Sequence, residues 1–406
     1  MRKVREIKSE EYLGRYFLIK NKDSERYLEP IRVVKGNWTW LTNLWKTEDS
    51  HKQIGESLAQ RFKHVTGSDH QKFMLARIGM YHICIIPKKS EGVISVHRTG
   101  IESLREFLGL DDKSIYISTA RLDGLQLFSI VDEFDGSISI EPMESDRILG
   151  VSKLDPGALD NDDILVQQLP RSSFHKFVLE EAERFDVRPL QSSDSEEALN
   201  GLASSALPFP DGLNSPMPKF LPQKPVLLGE MYLPYVLVNP AAFRLTRSQQ
   251  AEMTPYYTLR REQQWHRKDD KIYDSRERFH KSDSMELGMT EETIKELNTT
   301  LGLKTDGLSL KFVSDVVSMT LGAEFDANLK IKYSSKLNFR RAEKRSWSLT
   351  VDDKQPTRVV TWVLLDIFKL LDVSGKVVKE WTIEVLDRVE FRGFPNTIES
   401  KPDVPS

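Results

Sequence analysis

Residues 319–334 alternate without a break between apolar or small side chains and polar side chains or glycine. Met319, Leu321, Ala323, Phe325, Ala327, Leu329, Ile331 and Tyr333 fall on one face. Thr320, Gly322, Glu324, Asp326, Asn328, Lys330, Lys332 and Ser334 fall on the other. A period of two marks a β-strand with one face in an apolar medium. Ordinary strands run about 5–6 residues, and a strand crossing a bilayer needs about 9–11. The pattern therefore predicts either a long strand half-buried in a soluble sheet or a membrane-crossing strand, and alternation alone does not choose between them. A partner pattern precedes it: Leu301, Leu303, Leu308, Leu310 and Phe312 stand against Lys304, Ser309 and Lys311, with Asp306-Gly307 as a hairpin signal.

Elsewhere no run approaches the ~18 apolar residues of a transmembrane helix. The charged start, Met1-Arg2-Lys3-Val4-Arg5-Glu6, leads into no apolar signal region. The expectation is a soluble protein without a signal peptide, which could span a membrane only as a β-barrel. A net charge of -3 gives no steering toward nucleic acid or an anionic membrane, so a target membrane would be found through a receptor or by shape. The single cysteine, Cys84, excludes an intrachain disulfide and a paired thiolate site, and its apolar setting predicts a buried residue on a strand.

Through residue ~185, short strands separated by turn signals predict an all-β domain. Three blocks look related, opening at Tyr16-Phe17-Leu18-Ile19, Lys72-Phe73-Met74-Leu75 and Leu127-Phe128-Ser129-Ile130. Threefold repetition of a short β-unit predicts a β-trefoil over 1–185, with a last strand in 173–179 closing the barrel. Residues 186–230 are dense in serine and proline and read as an extended linker. Strands are expected at 345–351, 359–370 and 377–386, the last two joined by a turn at 372–376. Residues 291–299 read as a helix capped by Thr290 or, nearly as well, as a strand. The tail 396–406 reads as disordered.

No catalytic motif is present: neither a phosphate loop nor His-Glu-x-x-His nor Gly-x-Ser-x-Gly occurs. The eight histidines lack ligand-like spacing, so neither a metal site nor a cofactor is expected. Trefoil sugar sites combine an acidic or amide group with a stacking aromatic, which makes Asp23 with Tyr27 and Asp135 with Phe134 the candidate pairs. The Gln-x-Trp signature of ricin-type lectin repeats is absent, with Phe177 where tryptophan would stand.

From residue ~207 onward the chain resembles the Bin-type binary insecticidal crystal toxins. The resemblance is carried by 221–225 (Leu-Pro-Gln-Lys-Pro), 233–239 (Leu-Pro-Tyr-Val-Leu-Val-Asn), the block from Thr254, Pro255, Tyr256 and Tyr257 to Trp265, and 329–334. It implies an N-terminal β-trefoil followed by an elongated, aerolysin-like pore-forming domain over 231–395. It also implies a tucked amphipathic hairpin that joins a membrane barrel, homo-oligomerisation, terminal proteolysis and, in many members, a second toxin component. A protein of this kind is stored in or released from a bacterium and acts at the target cell membrane, through a receptor or glycan on gut epithelium. The competing classes are a non-lytic lectin whose second domain only oligomerises, and an enzyme such as a glycoside hydrolase with a trefoil appendage, which would need two carboxylates about 5–9 Å apart in a cleft.

Overall fold

A computed structural model describes residues 4–7, 9–23, 25–32, 53–61, 69–78, 81–89, 92–96, 115–118, 126–143, 148–152, 163–168, 175–273, 279–287, 290–300, 343–351, 355–395 and 399–402. The chain is mostly β-strand and folds as two compact units, 1–187 with 234–255, and 188–233 with 256–406.

The first unit contains β1 (Arg15–Asn21), β2 (Tyr27–Arg32), β3 (Gln53–Arg61), β4 (Lys72–Ile78), β5 (His82–Pro87) and β6 (Val93–Val96). These are followed by β7 (Ile115–Ser118), β8 (Phe128–Asp132), β9 (Ile138–Pro142), β10 (Ile148–Ser152), β11 (Asp163–Gln168) and β12 (Phe177–Arg184). Antiparallel pairing runs β1–β4–β5–β8–β9–β12 and returns from β12 to β1, so six strands close a barrel and leave no edge. The other six form three hairpins, β2–β3, β6–β7 and β10–β11. This is a β-trefoil, and β12 closes the barrel as the repeat pattern predicts.

Its core repeats three times. Phe17 and Ile19, Ile83 and Ile85, and Ile138 and Ile140 come from the first strand of each unit. Leu28, Ile94 and Leu149 come from the second, and Phe73 with Leu75, Phe128 with Ile130 and Phe177 with Leu179 come from the fourth. The repeat phase differs from that of the aromatic-led blocks: Phe73 and Phe128 lie on the last strand of a unit, whereas Phe17 lies on the first. Two residues before each fourth-strand phenylalanine stands a buried polar side chain, Gln71, Gln126 or His175. Gln71 Nε2 donates to Glu29 Oε2 (3.1 Å) and Gln126 Nε2 to Ser95 Oγ (3.0 Å), in each case reaching the unit's second strand. A polar-x-Phe triplet thus stands where a ricin-type repeat carries Gln-x-Trp.

In the second unit β13 (Phe220–Pro234), β14 (Tyr256–Tyr273), β17 (Thr357–Leu371) and β18 (Val377–Phe394) form a four-stranded antiparallel sheet in that order. β17 is central and buried along nearly its whole length, which accounts for its continuous apolar run. The turn to β18 closes at Asp372–Lys376, with Gly375 at φ 84, a region that glycine enters freely.

Residues 186–230 depart from the expected linker. They hold a helix, Glu196–Asn200, and much of β13, and Leu199, Leu202 and Leu207 pack with Trp265, Trp362 and Leu364. The prolines mislead because Pro222 and Pro225 sit on an edge strand, where a missing N–H is tolerated. Part of the expected tail, Glu399–Pro402, is a strand, β19, paired with β16 (Glu343–Val351). Residues 291–300 are helical, and Thr290 Oγ1 accepts from the Thr293 N–H (3.2 Å) as an N-cap.

The trefoil is pinned by an ion-pair square. Lys72 and Lys88 each contact both Asp69 and Glu183. Burial opposes ionisation of Asp69, but hydrogen bonds from Lys72 and Lys88 outweigh it and bring its pKa down to about 2. A carboxylate with a depressed folded pKa stabilises above its unfolded value of 3.8, and loses that contribution as pH falls toward about 2. After allowance for solvent screening, Asp69→Asn should cost on the order of 1 kcal/mol at neutral pH. Thermal melts between pH 7 and 2 should show the wild-type advantage shrinking below pH ~4; a pH-independent difference would assign the effect to packing.

Candidate functional site

The third sheet has the order β15 (Phe279–Leu287), β16, β19. β15 and β16 pair antiparallel without a slip from Phe279↔Val351 to Leu287↔Glu343. Residues 288–342 therefore leave the sheet at the end of one strand and return on the strand hydrogen-bonded beside it. Within that excursion the helix Glu291–Thr300 lies against β18, where Lys379 donates to Glu296. The alternating candidates Leu301, Leu303, Leu308, Leu310, Phe312, Met319, Leu321, Ala323, Phe325, Ala327, Leu329, Ile331 and Tyr333 lie outside the described residues, as does Asp306-Gly307.

The motif residues at 254–265 are buried. Thr254 ends the helix Arg247–Met253, its N–H donating to Gln250 O (2.9 Å), and the Pro255 carbonyl accepts from the Tyr235 N–H (3.0 Å). Tyr256 packs edge-on to Tyr232 with ring centroids 5.9 Å apart, and Tyr257 is buried. Trp265 is fully buried and its Nε1–H donates to Leu202 O (3.1 Å). Trp265 holds the segment around Leu202 against the sheet, and the burial of all five residues leaves no open ligand platform among them.

One face of the four-stranded sheet carries a line of alternating charge from strand to strand. Glu230 on β13 meets Arg188 and Arg260, Arg260 approaches Glu262 on β14, Glu262 takes Lys369 on β17, and Lys369 approaches Glu380 on β18. Burial of Glu230 opposes its charge, but hydrogen bonds from Arg188, the Gln191 N–H and Arg260 outweigh this and keep its pKa below the ordinary carboxylate range. On the opposite face Arg261 makes a bidentate contact to buried Asp366 (2.9 and 2.8 Å), which also accepts from Gln263 Nε2 (2.8 Å). Removing one member strands the other charge in the interior, which typically costs about 3–5 kcal/mol. Chemical denaturation should therefore find Asp366→Leu less stable than the double variant Arg261→Met/Asp366→Leu. A double variant that loses the sum of the two single losses would refute the coupling.

In the trefoil, the turn after β1 and the β8–β9 turn are bonded together: Lys22 Nζ donates to the Asp135 carbonyl (3.1 Å) and reaches its carboxylate. Asp23, Phe134 and Asp135 therefore belong to one surface cluster. Tyr27 is engaged elsewhere, its hydroxyl donating to Glu180 (2.9 Å) and its ring lying 5.7 Å from the Lys20 ammonium. Among the described residues there is no cluster of metal-ligating side chains and no helix long and apolar enough to cross a membrane.

Residues 226–395 match the model of the family described as Insecticidal Crystal Toxin, P42. Among solved structures the chain is similar to Cry35Ab1, with a TM-score of 0.64 and 16% identity over 96% of this chain and 91% of that one. Shorter stretches resemble the designed three-fold symmetric protein ThreeFoil (TM-score 0.29, 14% identity, 40% of this chain and 96% of that one). The SDF2-like protein from Arabidopsis thaliana matches similarly (TM-score 0.28, 10% identity, 41% and 92%). Both scores are too low to carry weight. No curated protein matches by sequence. Residues 226–395 thus match the P42 insecticidal crystal toxin family, and the mostly β fold is similar to that of Cry35Ab1 along nearly the whole chain.

Proposed function

We propose that the chain is an insecticidal-type β-pore-forming toxin. The trefoil docks on a receptor or glycan of the target gut epithelium, copies assemble into a homo-oligomer, and a hairpin within 301–334 enters the membrane. A second toxin component joins in the manner of binary relatives. The trefoil serves as the receptor-binding domain and the second unit, 188–233 with 256–406, as the pore-forming domain, in place of the 231–395 expected from the sequence.

The observation that carries this reading is the in-register pairing of β15 and β16. A segment that begins and ends on two paired strands can lengthen their ladder into a longer hairpin while the pairing within the four-stranded sheet is kept, once the helix Glu291–Thr300 unwinds and gives up its Lys379–Glu296 contact to β18. The pattern at 319–334 suits the lipid-facing side of such an extension, because every backbone group of a closed barrel is satisfied within it. β19 supports the reading further. It covers the free edge of β16, where the corresponding strand of another copy would have to add during assembly.

Dye release from vesicles made with target gut membranes tests this, using trypsin-trimmed protein with and without a second component. Ala323→Asp and Ala327→Asp should each abolish release while the unfolding midpoint stays unchanged. Normal lysis by both variants would place insertion in another strand pair. Glycan binding with no release under any condition would favour the non-lytic module. A chain ending at residue 398 should oligomerise faster on vesicles, as read by crosslinking; an unchanged rate would deny β19 its role as an edge cover.

A further inference from the structure

Phe134 is fully exposed, more so than any other large apolar side chain among the described residues. It stands at the tip of a tightly closed turn: the Glu133 N–H donates to Ser137 O (2.9 Å) and the Gly136 N–H to Glu133 O (3.2 Å). Gly136 has φ 78, a conformation that glycine adopts without strain. The next residue, Asp135, ties three segments together. Its Oδ1 accepts from the Ser137 N–H (3.1 Å) and hydroxyl, and its Oδ2 takes Lys176 (2.8 Å) and Lys22 (3.1 Å). The Lys22 N–H also donates to Lys176 O (2.9 Å). The aromatic face is thus held out on a rigid base while stabilising nothing within the fold.

The Asp135 carboxylate is saturated by these four donors and has no capacity left for a ligand. Asp23, on the neighbouring turn, is exposed, and among the described residues its carboxylate accepts no hydrogen bond. It lies near enough for its charge to act on Lys176. Lys22 and Lys176 are offset by Asp23, Glu133 and Asp135, so the patch holds no excess positive charge to attract an anion. An exposed aromatic face, one free acceptor and ammonium donors in a nearly balanced field match a ligand with one apolar face and a rim of hydroxyls.

We propose that the trefoil binds a neutral pyranose on Phe134, with Asp23 accepting from its hydroxyls and Lys22 and Lys176 donating to them. This rests on the receptor-or-glycan reading above and narrows it to one site and one ligand class. Tyr27 takes no part, because its hydroxyl is committed to Glu180.

The test is a glycan array probed with the full chain, followed by titration of the best neutral hexose-terminated glycan. Phe134→Ala and Asp23→Asn should each weaken binding by about tenfold or more, the loss of roughly one stacking or charge-assisted contact, with Tm unchanged, while Tyr27→Phe binds as wild type. Equal binding by wild type, Phe134→Ala and Asp23→Asn would overturn the site. Binding restricted to sialylated or sulfated glycans would overturn the ligand class, and binding to no glycan would overturn both. Dye release from vesicles made with target gut membranes, by the trimmed protein with and without a second component, is read in parallel. Release retained with the site refuted leaves the pore reading standing, and release absent with the site confirmed refutes the pore reading alone.

Discussion

The third sheet is built on the hydrogen-bonded ladder between β15 and β16. Nine consecutive residue pairs, Phe279↔Val351 through Leu287↔Glu343, fix the two ends of a 55-residue excursion side by side. Loop closure over that length costs entropy that grows only slowly with chain length, so the ladder can sustain a long insertion.

The four-stranded sheet is the most extensively paired and packed part of the second unit. Fifteen aligned pairs join β14 to β17, and Trp265 and Trp362 are fully buried against the 199–207 segment. The charges running from Arg188 to Glu380 cross all four strands on one face, and the Arg261–Asp366–Gln263 group occupies the other. Buried ion pairs add little net stability over apolar packing, but they punish misregistry severely, because a slip of one residue leaves charges unpaired in the interior. Arg358 extends the same logic. It binds Asp270 through two contacts of 2.8 Å and caps the carbonyls of Gly212 and Ser215, holding the proline-rich crossing against the sheet.

Much of this was legible in the sequence, in proportion to how local its cause is. Apolar runs bounded by turn signals located β17, β18 and the start of the closing strand of the barrel, because a buried strand is apolar along its own length. The phase of the trefoil repeat was not legible: Phe17 and Phe73 head similar apolar runs, and only through-space pairing separates a unit's first strand from its fourth. The recurring Gln71, Gln126 and His175 before Phe73, Phe128 and Phe177 would have set that phase. Residues 186–230 pack instead of linking because apolar side chains, among them Leu199, Leu202 and Leu207, stand among the prolines. At the candidate sugar site the sequence offers Asp23 with Tyr27 and Asp135 with Phe134, whereas the structure commits Tyr27 to Glu180 and the Asp135 carboxylate to Lys22, Lys176 and Ser137. The grouping of Asp23 with Phe134 arises from the Lys22–Asp135 contact, which joins turns more than a hundred residues apart.

The central claim is that 319–334 is a strand whose odd-numbered face meets lipid in the assembled state. With Cys84 replaced by alanine, single cysteines can be placed at each position of the segment and labelled with an environment-sensitive fluorophore. Emission and quenching by lipid-soluble nitroxide, measured before and after assembly on vesicles, give the direct answer. The account predicts that labels at 319, 321, 323, 325, 327, 329, 331 and 333 become quenchable on assembly while those at the even positions stay accessible to aqueous iodide. Uniform accessibility along the segment, or a pattern unchanged by assembly, would contradict it.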